Sequence, residues 1–381
     1  MILGGGKVVA ADSAVLDPGW VEVRDGRIAS IGAGPAPKPV DVDLRNRWLV
    51  PGFVDMHVHG GGGAAFQDGT GERVRRAAEF HRSHGTTTLV AGLVTAPLQA
   101  MERKVAELAE SVQDGLIAGV HLEGPFLAAA HCGAHPPSLL RAPAAADLRR
   151  LLDAGDGAVR MVTLAPELPG GLNAVRQVVD SGATAAIGHT DADYELTRAA
   201  VDAGVTVATH LWNGMRPQHH RRPGPAPALL AAAGVTIELI VDGLHLHPAI
   251  AHSAASAAGP GRTALVTDAI AAAGLGDGTY TLGEATVRVR GGEARLAEGD
   301  SLAGSTLTLD RALRNAVAIG IPFLDALAAI TSVPARAVGL GGEAGSLAPG
   351  RPADLVVLTD DLLVDAVFAR GNPVINHTEE R

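Results

Sequence analysis

Two histidines separated by one residue, His57 and His59, end an apolar run in Pro51–Gly60, PGFVDMHVHG. On a β-strand, residues i and i+2 face the same side. This spacing therefore sets two imidazoles side by side at a strand end, where they suit a divalent metal. Gly60 to Gly63 let the chain turn sharply behind them. Alone, the pair reads equally well as a polar strand end before a turn. More ligand-type residues downstream, each again closing an apolar run, shift the balance. They are Glu123 in HLEGP, His189 in GHT, His210 in TH, Asp242 and His245 in DGLHLHP, and Asp268 in TDA.

Each of these has a bland reading. Glu123, before Gly124-Pro125, could cap a turn, and His189 and His210 could be hydrogen-bonded core histidines. Asp268 could cap the next helix. Taken together they make a better metal set. One carboxylate can bind a cation with two imidazoles, or bridge two cations, and an aspartate beside it can accept a proton from water and return it to a leaving group. His219-His220-Arg221-Arg222 is the densest cationic run in an acidic chain. Such runs are usually solvated loops, but this one begins nine residues past His210 and would suit an anionic substrate. Cys132, three residues before His135 on a loop with Gly133, Pro136 and Pro137, reads as a bystander rather than a nucleophile.

The elements that must position these residues alternate. Strands are expected at Leu49–Met56, Thr86–Gly92, Ile117–Leu122, Val159–Leu164, Thr184–Gly188, Val205–Ala208, Thr236–Val241 and Ala264–Thr267. Helical patterns lie between them, including Glu72–His84, Leu98–Gln113 and Glu195–Ala203. Eight such rounds predict a (β/α)8 TIM barrel, whose strand C-termini converge on one mouth. The ligand-type residues fall at those ends, and the strand interiors are nearly free of them. Residues 1–50 read as short strands broken by Gly, Pro and Asp, and the far C-terminus has the same texture. A small β-sandwich domain built from both termini, 1–50 with 346–381, is expected beside a barrel over 51–345. Tyr280–Arg295 reads as a hairpin turned at Gly291-Gly292, followed by helices at Thr308–Ile319 and Pro322–Ile330.

Composition narrows the partners. With 47% hydrophobic residues, 48 glycines and 23 prolines, the 381-residue chain is globular and rich in turns. A net charge of −10 argues against nucleic acid and anionic membranes as partners. Only Lys7, Lys38 and Lys104 are lysines, so arginine number alone carries no message. One cysteine excludes an internal disulfide and fits a reducing, cytoplasmic setting. No signal peptide or membrane span is expected.

PGFVDMHVHG, HLEGPF, GHT, THLWNGM, DGLHLHP, LVTDA and LAGS, in that order and spacing, resemble the amidohydrolase superfamily. HLEGPF and THLWNGM resemble most closely its sugar-phosphate N-deacetylase branch. The likeness runs from Pro51 to Gly304, and Ser346–Leu358, SLAPGRPADLVVL, matches the usual return to a β-domain. It implies hydrolysis of the N-acetyl group of N-acetylglucosamine 6-phosphate in amino-sugar metabolism. It also implies Glu123, His189 and His210 as metal ligands, with His57 and His59 available for a second ion. Zinc is the first expectation, with iron, manganese, cobalt or cadmium as alternatives, one or two per subunit. Asp268 is implied as the catalytic acid and base, and His135 as the group that polarises the acetyl carbonyl. Ala134, Asn213, Gly214, Asp242 and His245 would hold the sugar phosphate, Arg221 the phosphate, and Leu302, Ala303 and Gly304 would close over it. Alanine is usual at position 214, and glutamate often stands where this chain has Arg222. An arginine placed as Arg221 can serve a neighbouring subunit, which implies a homodimer.

Among rivals, a cyclic amidase would need a carbamylated lysine on the fourth strand. No lysine follows Lys104. A catalytically silent binding barrel would be expected to have lost ligands, and an adenosine-deaminase-like member would have no use for HLEGPF or the basic loop.

Overall fold

The computed structural model describes residues 1–69, 71–299 and 301–376. Thr70 and Asp300 of the expected barrel, and residues 377–381 of the expected β-domain, lie outside the described residues. Among those described, eight parallel strands run in sequence order. They are Phe53–Val58, Thr86–Val94, Gly119–Glu123, Val159–Leu164, Thr184–Ile187, Val205–Ala208, Thr236–Leu239 and Thr263–Leu265. Helices alternate with them on the outside. Leu98–Gln113 shows why these segments are helical, for it buries Met101, Val105, Leu108 and Ala109 on one stripe. Tyr194–Asp202 starts where the Asp193 side chain accepts the Leu196 N–H at 2.9 Å.

The ring closes between the first and eighth strands with few ladder bonds. At the rim, Asp268 N–H donates to the His57 carbonyl at 2.9 Å, and His59 N–H donates to the Ala269 carbonyl at 2.8 Å. One level deeper, the fully buried Asp55 carboxylate spans the seam. It accepts the Thr267 hydroxyl at 2.6 Å, the Thr267 N–H at 3.4 Å and the His57 N–H at 3.3 Å. The seam thus fixes His57 and Asp268 relative to each other.

The expected first strand, Leu49–Met56, is in fact two pieces. Arg47–Pro51 belongs to the small sheet, pairing antiparallel with Leu355–Thr359 so that Val50 faces Val356, and the barrel begins at Phe53. Proline, which cannot donate, and glycine make the break. A Cβ on Gly52 would stand 2.1 Å from Thr87 Oγ1, so the crossing requires glycine.

The small sheet has eight strands drawn from both chain ends. It curls back on itself, because Ile28 N–H donates to the Arg351 carbonyl and Ala353 N–H to the Gly26 carbonyl, both at 2.9 Å. Leu3, Val21, Ile28, Leu355 and Phe368 fill the interior this creates. The expected hairpin is a three-stranded antiparallel flap, Gly278–Leu282, Ala285–Arg290 and Glu293–Leu296, with Gly291-Gly292 at its second turn. Ser332–Ala337 is an additional short helix.

Candidate metal centre and active site

Every barrel strand that ends in a ligand-type residue brings it to the same rim. Glu123, from the third strand, lies at the centre. Its Oε1 is 3.2 Å from His189 Nε2 and 3.0 Å from His210 Nε2, and its Oε2 is 3.1 Å from His59 Nε2. His57 Nε2 lies 3.2 Å from His59 Nε2. His57, His59 and Glu123 form one buried triad and Glu123, His189 and His210 another, each with its ligand atoms within 4.8 Å. Glu123 joins the two. Asp268 Oδ1 sits 3.2 Å from His59 Nε2 and 3.6 Å from His57 Nε2. Burial alone would raise the Asp268 carboxyl, but His59 and His57 draw it down to about 2. Burial also opposes the ionisation of Glu123, which the surrounding imidazoles nonetheless hold well below the usual carboxylate range.

The backbone is unusual where it presents these groups. His189, His210 and Asp268 have φ of +46°, +26° and +49°, a region that residues with a Cβ seldom occupy. Neighbouring glycine makes room. Gly214, φ +60°, stands where a Cβ would come 2.7 Å from His189 Nδ1. Alanine, expected as the usual residue here, would crowd that ring.

Hydrogen bonds to the far side of two of the rings, His189 and His135, assign their protons. The His131 carbonyl can only accept, so His189 Nδ1, 2.7 Å away, carries the hydrogen and Nε2 turns its lone pair to the centre. His135 is arranged the opposite way. Its Nδ1 accepts the Thr95 N–H at 3.3 Å and lies 2.9 Å from the Thr95 hydroxyl, which leaves the hydrogen on Nε2. Burial pushes this imidazole down to about 4, so it is neutral near pH 7. His135 Nε2–H therefore faces the centre as a donor, 3.6 Å from Glu123 Oε2.

A cavity of about 410 Å³ opens over the cluster. Ala134, Asn213, Gly214, His245, Leu302 and Gly304 line it, together with His135 and Asp268. Two of the expected substrate contacts stand behind the wall. Ala303 is fully buried in the core of the flap, and Asp242 reaches the cavity through His245, whose Nδ1 it holds at 2.7 Å. Arg221 is not on the wall. It is exposed on its loop, with Nη1 2.8 Å from His220 Nε2. No lysine or arginine lines the cavity among the described residues. A larger hollow, about 470 Å³, lies under the small sheet beside Ser332 and Arg336 and has no histidine in its wall.

Residue-type reasoning passed over three contributors. Thr95 sets the His135 tautomer, Asp55 ties the seam, and Glu238 lies behind His57. For Asp55 and Glu238 the available signal was an acidic residue inside an apolar strand, as in Thr236–Leu239, TIEL; Thr95, just past its strand, carries no such mark.

The profile of the amidohydrolase family matches residues 48–374. The chain is 48% identical to a solved N-acetyl-D-glucosamine-6-phosphate deacetylase variant from Mycobacterium smegmatis in complex with N-acetyl-D-glucosamine-6-phosphate, covering 99% of both chains with a TM-score of 0.96. It is 37% identical to an N-acetylgalactosamine-6-phosphate deacetylase of Escherichia coli O157:H7, over 96% of this chain and 98% of that one. It is 34% identical to the N-acetylglucosamine-6-phosphate deacetylase of Bacillus subtilis (strain 168), over 96% of this chain and 94% of that one.

Proposed function

Because the chain belongs to the amidohydrolase family, we propose that it removes the acetyl group from N-acetyl-D-glucosamine 6-phosphate, giving D-glucosamine 6-phosphate and acetate. The observation that carries this reading is Glu123 set between two pairs of imidazoles, with Asp268 and His135 on the same cavity.

The donor set fits a divalent cation. It comprises four imidazoles and one carboxylate, all buried, and their ligand atoms converge. Glu123, His189 and His210 would hold one ion, and His57, His59 and Glu123 a second. Zinc is our first assignment, and iron, manganese, cobalt or cadmium suit the same donors. A bound cation of this kind lowers the pKa of a water and polarises a carbonyl.

The chain's own residues do the rest. Asp268, ionised at neutral pH, takes the proton of the attacking water and passes it to the departing amine nitrogen. His135 donates Nε2–H to the acetyl oxygen as negative charge develops there. Asn213, Gly214, Ala134 and His245, braced by Asp242, receive the sugar, and Leu302–Gly304 covers it under the flap. Among the described residues the cavity wall supplies no guanidinium to the phosphate, so we assign that contact to Arg221 of a second copy in a homodimer. Two domains, 1–50 with 346–381 and 51–345, make up the subunit. The single cysteine supports a cytoplasmic setting.

Acetate release from N-acetylglucosamine 6-phosphate, beside its unphosphorylated form, tests the reading. Strong preference for the phosphorylated sugar is expected, and equal rates would refute the phosphate contact. N-acetylgalactosamine 6-phosphate belongs in the same assay, given the 37% identical relative named for that substrate. A higher rate on it would reassign the sugar.

A further inference from the structure

Glu238 lies inside the seventh barrel strand and is completely buried, between Ile237 and Leu239 of the hydrophobic core. A carboxylate in such a place is strongly destabilising unless it is paired. Its partners therefore say what it is for. Oε2 is 3.0 Å from His57 Nδ1 and accepts the backbone N–H of His210, also at 3.0 Å. Oε1 has no hydrogen-bond partner. Both contacts of Oε2 end on the cluster, one in each of the two triads that Glu123 joins. The His210 contact also anchors a backbone turned to φ +26°. Among the described residues no other neighbour takes over this task. His121, whose ring centroid lies 4.5 Å from that of His57, directs its Nε2 to Thr163 Oγ1 at 2.8 Å.

We propose that Glu238 is a positioning residue of the metal centre. It keeps the hydrogen of His57 on Nδ1 and the Nε2 lone pair toward His59 and Glu123, and it pins the strand end that presents His210. An acceptor oxygen behind a ligating imidazole fixes its tautomer and orients the ring, and losing one weakens metal binding ~10–100-fold. The metal-binding part of this inference rests on reading His57, His59 and Glu123 as a second cation site. The alternative, a side chain that merely fills space between strands, would be served as well by leucine.

Glu238→Gln keeps the shape and an acceptor oxygen, whereas Glu238→Leu keeps only the bulk. Stripped protein would be titrated with zinc in a metal buffer, bound zinc counted by mass spectrometry, and folding checked by circular dichroism. The leucine variant is expected to bind its second equivalent ~10–100-fold more weakly, with the glutamine variant close to wild type. Unchanged affinity in the leucine variant overturns the proposal. Nitrogen-15 histidine spectra of the metal-free protein give a reading independent of ion count. A hydrogen-bonded Nδ1–H at His57, assigned with His57→Gln, is expected in wild type and Glu238→Gln and lost in Glu238→Leu. Its absence from wild type overturns the proposal. A wild-type protein that holds one equivalent refutes the two-ion reading instead, and the imidazole signal then decides on Glu238.

Discussion

The proton on His135 shows how much one side chain depends on its second nitrogen. A main-chain N–H points at Nδ1, so Nε2 donates, and burial keeps the ring neutral. His135→Ala should lower kcat ~10²–10³-fold, the usual cost of one oxyanion donor, with zinc content unchanged in the same sample. A kcat near wild type would remove His135 from the chemistry. Gly214 is tested by Gly214→Ala. Its φ of +60° and the 2.7 Å approach to His189 Nδ1 predict a loss of ~1–3 kcal/mol in stability, together with weaker zinc retention. A melting temperature and zinc affinity equal to wild type would show that the backbone relaxes freely. The buried His/Glu cluster was legible in the sequence because each of its members stands where an apolar run stops. Thr95 and Glu238 were not, since their meaning lies in the ring nitrogen they face, which sequence spacing does not reveal.

At the scale of elements, alternation of apolar runs and amphipathic segments was enough for the barrel, and Leu98–Gln113 and Val159–Leu164 coincide with their expected bounds. The first strand was misplaced because Trp48–Val54 is apolar on both sides of Pro51-Gly52, so hydropathy hides the passage from one sheet to the other. The helix Ser332–Ala337 escaped notice because it is a short segment carrying Pro334 in its first turn. The helix Leu309–Ala318, which follows the eighth strand and flap, makes a pH-dependent tie to His84, just past the helix Gly71–Ser83. Asp310 contacts His84 Nδ1 at 3.3 Å and Arg314 Nη1 at 3.0 Å. Burial alone would raise its carboxyl, but these partners, His84 foremost, bring it down to about 2. A folded-state value below the unfolded one, near 3.9, gives stability that is complete above about pH 5 and lost as pH falls through 2. The contribution is at most about 2–3 kcal/mol. In urea unfolding between pH 5 and 2, Asp310→Asn should flatten the decline, and an identical slope would show that Asp310 is not linked to folding.

For the whole molecule, charge and incompleteness point the same way. The subunit carries a net −10, its cavity wall lacks lysine and arginine among the described residues, and Arg221 stands exposed beside His220. The proposed second copy rests, on the sequence side, only on family resemblance, because one chain's sequence does not say which surface meets another. Arg221→Ala should raise KM for the phosphorylated sugar ~10–100-fold, as expected for a lost charged hydrogen bond of ~1.5–3 kcal/mol, and leave the unphosphorylated sugar unaffected. Mixing it with inactive Asp268→Asn subunits should restore activity by pairing an intact Asp268 with the partner's intact Arg221. Mixtures no better than their parts would place that arginine elsewhere. The proposed chemistry needs the buried His/Glu cluster and the Asp268 carboxylate to act together at one mouth of the barrel. Acetate release from N-acetylglucosamine 6-phosphate by wild type and Asp268→Asn, with zinc counted in both, tests that requirement most directly. The variant should bind the same zinc and lose ~10³-fold or more in kcat, within the range for removing a positioned proton carrier. An Asp268→Asn enzyme that turns over at the wild-type rate would contradict a proton-carrying role for Asp268.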